Sequence, residues 1–191
     1  MLVGERMDER TRVRISKKMT FLLRHKKGFV DKEGWVDIER LYEELRRYFP
    51  WIQLSDILYV VSKDEKGRFE VKNGKIRARY GHTIDVEVKL PKASEKTLYH
   101  GTSCEVVAKI MKEGIVPMRR KKVHLTASLK EAIENAKRKG NCIKILEVDC
   151  ECLERHGHEI FKAGRYVRVT DYVPPECIRR VFVPKSEGRE G

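Results

Sequence analysis

The segment Lys75-Ile76-Arg77-Ala78-Arg79-Tyr80-Gly81-His82-Thr83 is the most informative part of this chain. It follows an Asn73-Gly74 pair and alternates apolar and basic residues, as a strand does. Because Asn-Gly between two alternating runs is a strong hairpin signal, the residues on either side of this pair are predicted to form a β-hairpin. Alternation places Arg77 and Arg79 on one face of the second strand. Two guanidinium groups on one face indicate a site for phosphate, to which we expect both halves of the chain to contribute.

Three predicted helices precede the hairpin. The first covers about residues 14–25, because four apolar residues recur there on one helical face and Gly28 follows as a stop. The second is predicted at about 37–48 with Asp37 as its N-cap, and the third at about 54–62. Three helices followed by a hairpin is the order of a winged helix, a fold often found on nucleic acid. This is an analogy of fold, which does not fix function.

The second half is predicted to be a small sheet that carries helices. Thr102-x-x-Glu105 and Ser128-x-x-Glu131 both have the spacing of a capping box, and each is predicted to open a helix. Met111 and Leu129 are among the apolar residues expected to face inward from these helices. The sequence contains neither GxGxxG nor GxxxxGK[ST], so neither common phosphate-binding loop is present. The predicted strands cover residues 84–90, 98–102, 123–126, 143–148, 167–169 and 180–183.

The net charge of +13, from 42 basic and 29 acidic residues, favours a polyanionic partner. A solvated, salt-bridged surface would explain part of the same composition. No segment approaches the roughly 20 apolar residues that span a bilayer, and the N-terminus lacks the apolar core of a secretory signal. We therefore expect a cytoplasmic protein without a membrane partner.

The five cysteines are odd in number and contain no CxxC pair, which predicts free thiols. Cys150-x-Cys152 followed by His156-x-His158 matches no common zinc spacing. We therefore expect no metal.

Several basic residues have a structural explanation besides a chemical one. Arg24 and His25 end the first predicted helix and Arg138 ends a later one, and cations are favourable at helix C-termini whatever the function. His100 and His124 each close a short strand, where binding side chains are often placed. A hydrogen-bonded histidine at a sheet edge is the alternative for both.

Five motifs occur in order along the chain. They are Leu22-Leu23-Arg24-His25, Ile76-Arg77-Ala78-Arg79-Tyr80-Gly81-His82-Thr83, Leu98-Tyr99-His100-Gly101-Thr102, Val123-His124-Leu125-Thr126 and Lys137-Arg138-Lys139-Gly140. Together they resemble the RNA 2′-phosphotransferase family, the Tpt1/KptA enzymes, over residues 16 to about 170. Two departures accompany them: Phe161–Val167 lacks the Ser and Asn of the similar family segment, and Arg79-Tyr80 replaces the commoner Asn-Gln before Gly-His.

The resemblance implies an α+β protein of two lobes. Residues 1–83 would form a winged-helix RNA-binding lobe, 84–95 a connector, and 96–191 an ADP-ribosyltransferase-like lobe that binds NAD⁺ as co-substrate. An internal 2′-phosphate of tRNA-like RNA would attack C1″ of the nicotinamide riboside and expel nicotinamide. The ribose 2″-hydroxyl would then attack that phosphate, giving 2′-OH RNA and ADP-ribose 1″,2″-cyclic phosphate. We expect a monomer.

The resemblance also implies roles for individual residues. A planar guanidinium holds two phosphate oxygens at once, and a histidine can move a proton near neutral pH, so both types suit this chemistry. The expected catalytic residues are Arg24, His25, Arg77 and Arg138. The expected NAD⁺ contacts are His100, Gly101, Thr102, His124, Leu125 and Val167. The expected RNA contacts are Arg79, His82, Arg119 and Arg120.

Two other functions stay open on the sequence. A winged-helix regulator that senses a ligand fits the hairpin and the charge, but it gives Arg24, His25 and Arg138 no joint task. An ADP-ribosyltransferase acting on protein or on nucleic-acid phosphates would share the NAD⁺ site.

Overall fold

The computed structural model describes residues 7–185, which form a mixed α/β protein with six α-helices and two antiparallel sheets. The chain divides into two compact units, Met1–Leu90 and Pro91–Gly191. Within the described residues, none of the helices is both long enough and apolar enough to cross a membrane.

The N-terminal unit consists of three helices and a three-stranded sheet. The helices are α1 (Glu9–His25), α2 (Ile38–Arg46) and α3 (Leu54–Ser62). The strands are β1 (Val36–Asp37), β2 (Phe69–Lys72) and β3 (Lys75–Ala78), in the order β1-β3-β2. Asn73 and Gly74 both adopt positive φ, at 51° and 72°, so the predicted hairpin is confirmed.

Helix α1 organises the core of this unit. Its inward residues Ile15, Met19, Leu22 and Leu23 are at most 1% exposed, as their spacing predicts. The helix begins earlier than predicted, because the side chain of Asp8 accepts a hydrogen bond from the backbone of Thr11 and caps it.

The C-terminal unit is built on a six-stranded antiparallel sheet. Its order is β7-β8-β5-β4-β6-β9. The strands are β4 (Thr97–Ser103), β5 (Val123–Thr126), β6 (Ile143–Asp149), β7 (Phe161–Lys162), β8 (Val167–Thr170) and β9 (Ile178–Phe182). The helices are α4 (Val107–Glu113), α5 (Leu129–Lys137) and α6 (Cys150–Arg155).

Gly101 marks the contact between α5 and the sheet. It lies inside β4 rather than at a turn, and a Cβ on it would be 1.9 Å from the carbonyl oxygen of Ala132 on α5. The absence of a side chain therefore lets the helix pack directly against the strand.

Some elements predicted for the second half of the sequence are wrong. Residues 84–90 form no strand, because Val86 donates its N–H to the carbonyl of Ile84 and Glu87 donates to that of Lys32. Thr102 caps no helix, because it lies in β4 and pairs with Lys144 of β6. Met111 and Leu129, predicted to face inward, are 41% and 39% exposed.

The prediction of free thiols is wrong for four of the five cysteines. Disulfides join Cys104 to Cys142 and Cys152 to Cys177, and Cys150 is free and buried. The first pair is adjacent because β4 and β6 are neighbouring strands, and the second because α6 packs on a short helical turn that ends at Cys177. Sequence separations of 38 and 25 residues conceal both pairs from a spacing rule.

The histidines near α6 do not assemble the metal set considered from the sequence. His158 hydrogen-bonds Asp171 at 2.9 Å. His156 instead lies beside the second disulfide, where its ligand nitrogen and the sulfurs of Cys152 and Cys177 are all within 4.8 Å of one another. Because those sulfurs are bonded to each other, they offer no thiolate to a metal.

Candidate active site

The end of α1 is hydrogen-bonded to the loop that follows β3. The backbone N–H groups of Thr83 and Ile84 both donate to the carbonyl oxygen of Arg24, at 3.0 and 3.4 Å. The ring Nδ1 of His25 is hydrogen-bonded to Oγ1 of Thr83 at 2.9 Å. These contacts bring Arg24 and His25 beside the segment that carries Arg77 and His82.

Arg24 lies against the backbone of this loop. Its guanidinium carbon is 4.9 Å from the centre of the Tyr80 ring. Gly81 has φ +90°, and a Cβ on it would lie 2.8 Å from Nε of Arg24. Glycine at this position therefore supplies both the turn and the space, and Tyr80 supplies an aromatic face for the cation.

Arg77 is 6% exposed and held on several sides. Its Nε and Nη2 donate to Oε2 of Glu70 at 3.2 and 3.0 Å, and Nη2 also donates to the carbonyl of Lys89 at 3.1 Å. The guanidinium lies 4.3 Å from the centre of the Trp35 ring. Arg79, more exposed, reaches the same carboxylate oxygen at 3.9 Å.

His82 is buried among these cations. Burial, together with the smaller effect of the charges of Arg24, His25 and Arg77, lowers the pKa of His82 to about 4. Its Nε2 has no hydrogen-bond partner within residues 7–185. The imidazole is therefore neutral at pH 7, and the cluster around it carries positive charge that a bound anion would neutralise.

A second group of polar side chains lies on β4, β5 and the end of α5. Nδ1 of His100 is hydrogen-bonded to the carbonyl of His124 at 3.1 Å, and Arg120 donates to Nδ1 of His124 at 2.8 Å. Burial of the imidazole lowers the pKa of His100 to about 4, with nearby Lys139 contributing. Both histidines predicted from strand ends thus take part in one network.

Lys139 is a member of this group that the sequence did not single out by itself. Its Nζ donates to the carbonyl oxygen of Gly101 at 2.7 Å, and burial followed by the charge of Arg120 lowers its pKa. A lysine just past a helix C-terminus reads as a solvated cation in the sequence, so only the fold reveals this contact.

The other predicted residues of the C-terminal unit differ in exposure. Thr102 and Leu125 are 3% and 2% exposed, so their side chains are buried within the C-terminal unit. Val167 pairs with Thr126 at the start of β8. Arg138 and Arg119 are exposed, and Nη1 of Arg138 donates to Oδ1 of Asn135 at 3.4 Å.

Glu70 could have been identified from the sequence. A two-residue Asn73-Gly74 loop sets the hairpin register, and that register places Glu70 opposite Arg77. Trp35 and Tyr80 carry no such signal, because long-range packing brings their rings to the arginines.

The C-terminal unit also has a polar depression, which is lined by other residues. Its lining includes Lys92, Glu154, Glu159 and Asp171, and it includes none of the residues predicted for the site. Its mixed charge makes it a poor match for a polyanion.

Comparison with known proteins resolves the family. Residues 10–172 match the family model described as RNA 2′-phosphotransferase, Tpt1 / KptA family. The chain belongs to that family. A "Probable RNA 2'-phosphotransferase" of Pyrococcus abyssi (strain GE5 / Orsay) is 44% identical over 172 residues, covering 87% of this chain and 94% of the relative.

Other members of the Tpt1/KptA family align over similar lengths. A protein of the same description from Pyrobaculum aerophilum is 44% identical over 180 residues, covering 92% of this chain and 84% of the relative. "Probable RNA 2'-phosphotransferase 2" of Archaeoglobus fulgidus is 38% identical over 182 residues, covering 92% and 83%. The resemblance expected from the five motifs is thereby confirmed at the level of the family.

Proposed function

We propose that this protein transfers the 2′-phosphate of RNA to NAD⁺, giving 2′-OH RNA, nicotinamide and ADP-ribose 1″,2″-cyclic phosphate. The observation that carries the proposal is the grouping of Arg24, His25, Arg77 and His82 in a Tpt1/KptA family member. Such a group of cations around a neutral imidazole suits a phosphate dianion better than it suits a neutral ligand.

The fold that we propose for each unit follows the same family. In the N-terminal unit, the order α1, β1, α2, α3, β2, β3 supports a winged helix that binds RNA, with its boundary near residue 83. The C-terminal unit from residue 96 is proposed to be ADP-ribosyltransferase-like. In support, it places His100 and His124 on neighbouring strands of one sheet.

NAD⁺ is proposed to be the co-substrate of the C-terminal unit. The donors present fit such a ligand, since Arg120 and Lys139 are cations that suit a pyrophosphate and the neutral His100 suits a nicotinamide riboside. Arg120, expected from the sequence to contact RNA, is proposed here to bind NAD⁺ instead, because it is hydrogen-bonded to His124. Gly101, Thr102, Leu125 and Val167 lie on the same strands. The buried Thr102 and Leu125 would contribute through their backbone.

The first chemical step requires orientation more than base catalysis. The 2′-phosphate is already anionic, so it attacks C1″ without losing a proton, and the C1″–nitrogen bond to nicotinamide breaks. Arg24 and Arg77 are proposed to hold the phosphate oxygens, since a guanidinium binds them in pairs and stays charged. Arg138 is proposed as a third such group on the strength of its family motif.

The second step builds negative charge on a crowded phosphorus. The ribose 2″-hydroxyl loses its proton as its oxygen attacks the phosphate, and the bond from phosphorus to the RNA 2′-oxygen breaks. That leaving oxygen gains a proton, so the step needs one proton removed and one supplied. Fixed cations lower the barrier by stabilising the developing charge. His25 is proposed to assist the proton transfer, and Thr83 to fix the orientation of its ring through the 2.9 Å hydrogen bond.

The proposal is tested by incubating the protein with RNA that carries an internal 2′-phosphate, with and without NAD⁺. Loss of the phosphate that requires NAD⁺ supports it. A stable ADP-ribose adduct as the final product would instead favour an ADP-ribosyltransferase that acts on nucleic-acid phosphates.

A further inference from the structure

One surface of the N-terminal unit combines exposed aromatic rings with cations. The three aromatic side chains classed as exposed in residues 7–185 are Phe21, Tyr48 and Trp51, at 52%, 47% and 49%. All three lie in this unit. Exposed rings gathered in one region mark a binding surface more often than an accident of packing.

Helix α1 supplies the axis of this surface. Arg14, Lys18, Phe21 and His25 are spaced by four, three and four residues, so they lie along one helical face. The rings of Phe21 and His25 have centroids 5.9 Å apart. The surface therefore leads directly to the histidine that we propose acts on the phosphate.

The segment after α2 lines the same face. Nζ of Lys18 is 4.0 Å from the ring centre of Tyr48 and 5.5 Å from that of Phe21, so this one cation lies by both rings. Farther along, the guanidinium of Arg14 is 5.7 Å from the Phe49 ring, which in turn meets Trp51 edge to face at 6.1 Å. Arg14, Lys18, Phe21, Tyr48 and Trp51 are called the α1 strip below.

Charge decides the kind of partner. Helix α1 carries six Lys or Arg residues and a single acidic one, Glu9, which pairs with Arg12. Alternating cations and rings match a chain in which phosphates alternate with flat bases. Bases can stack on side chains only when they are unpaired, so the match is to single-stranded nucleic acid.

We propose that the α1 strip binds the single-stranded RNA next to the phosphorylated nucleotide, with bases on Phe21 and Tyr48 and phosphates at Arg14 and Lys18. This inference deepens the proposed function and rests on it for the position of the 2′-phosphate. From Arg14 to His25 the helix rises about 16 Å, enough for a few nucleotides of an extended strand.

The test is fluorescence anisotropy of the full chain with a short fluorescein-labelled single-stranded RNA that lacks a 2′-phosphate. Phe21→Ala and Tyr48→Ala are each expected to raise Kd by about tenfold, the loss of one stacked base. Phe21→Trp keeps a ring and is expected to keep binding, whereas Phe21→Leu keeps only apolar bulk and is expected to lose it. Leu58→Ala, a change at a residue of similar exposure on α3, is the matched control.

A second readout separates contact with phosphate from a structural role. Lys18→Gln is expected to lower the slope of log Kd against log salt concentration by about 0.7, the value for one phosphate contact on a single strand. An unchanged slope would contradict a phosphate at Lys18. Thermal melting by circular dichroism checks that each variant is folded.

Two results would contradict the inference. One is unchanged RNA affinity in folded Phe21→Ala and Tyr48→Ala, and the other is a loss of RNA affinity in Leu58→Ala alone. If wild-type protein is a dimer and Phe21→Ala is a monomer, the α1 strip binds a second copy of the chain rather than RNA.

The transfer assay keeps the two proposals apart. If wild-type protein removes the 2′-phosphate and the strip variants bind RNA normally, RNA binding by the α1 strip is contradicted and the proposed phosphotransfer is supported. If the strip variants bind RNA more weakly but wild-type protein leaves the 2′-phosphate on the RNA in the presence of NAD⁺, RNA binding by the α1 strip is supported and the proposed phosphotransfer is contradicted.

Discussion

Nη2 of Arg77 lies 3.0 Å from Oε2 of Glu70, its partner across the β2–β3 hairpin. The arginine is therefore held in place, with part of its charge neutralised, before any phosphate arrives. A phosphate that binds Arg77 must share the guanidinium with the Glu70 carboxylate or displace that carboxylate. Glu70 is therefore expected to limit the affinity of Arg77 for anions.

Glu70→Gln is expected to act in two opposite directions. Stability should fall by about 1–3 kcal/mol, because a buried guanidinium loses its charged partner. Affinity for inorganic phosphate should rise, because the cluster gains net positive charge. Urea unfolding and calorimetric titration with phosphate measure the two effects, and Glu65→Gln on the exposed surface is the control. Equal stability of Glu70→Gln and wild-type protein would contradict the role given to this pair.

His25→Ala tests the second chemical step. Because the first step needs no proton transfer, ADP-ribosylated RNA should accumulate while release of 2′-OH RNA slows, by about 100-fold or more for loss of general acid–base assistance. Thr83→Val removes only the hydrogen bond to Nδ1, so a smaller accumulation is expected. Gel analysis of labelled RNA over time separates the species. An unchanged product distribution in His25→Ala would argue against the role.

Local signals predicted the parts of the fold that depend on neighbours in sequence. The Asn73-Gly74 turn and the apolar face of α1 were correct because turn chemistry and helical periodicity act over a few residues. The Cys104–Cys142 and Cys152–Cys177 bonds were missed because the strand order that joins their partners is a property of the whole sheet.

The candidate site shows the same division. Arg24, His25 and Arg77 could be selected as residues by motif, but no local pattern predicts that Tyr80 faces Arg24 or that Lys139 reaches the carbonyl of Gly101. Those contacts depend on packing between distant segments. The α1 strip is intermediate, since its helical face is visible in the sequence while Tyr48 comes from another segment.

Stability should depend on pH through the buried histidines. His82 and His100 have a pKa of about 4 in the folded protein, against an ordinary value of 6.5. Between pH 4 and pH 6.5 the two histidines bind protons in the unfolded chain but not in the folded protein. The free energy of unfolding therefore decreases as pH falls from 6.5 towards 4. The slope is up to about 1.4 kcal/mol per pH unit for each histidine.

Urea unfolding of wild-type protein and His82→Gln across this range measures the effect. The variant should show a shallower dependence, because one of the two groups is gone. Parallel curves for the two proteins would contradict the burial of a neutral His82.

The disulfides predict how many thiols react. In denaturant without reductant, alkylation should modify one cysteine, Cys150, and after reduction it should modify all five. Removing one bridge, as in Cys104→Ser, should lower stability by about 2–4 kcal/mol, because the unfolded chain regains the freedom of a closed loop. Mass spectrometry counts the modified sites, and five reactive thiols before reduction would restore the expectation drawn from the sequence.

The fate of a radiolabelled 2′-phosphate on RNA tests the central claim most directly. With NAD⁺ present, the label should leave the RNA and appear in ADP-ribose 1″,2″-cyclic phosphate, and without NAD⁺ it should remain on the RNA. A label that stays on the RNA in both reactions, or that leaves as free phosphate without NAD⁺, would contradict the proposed phosphotransfer.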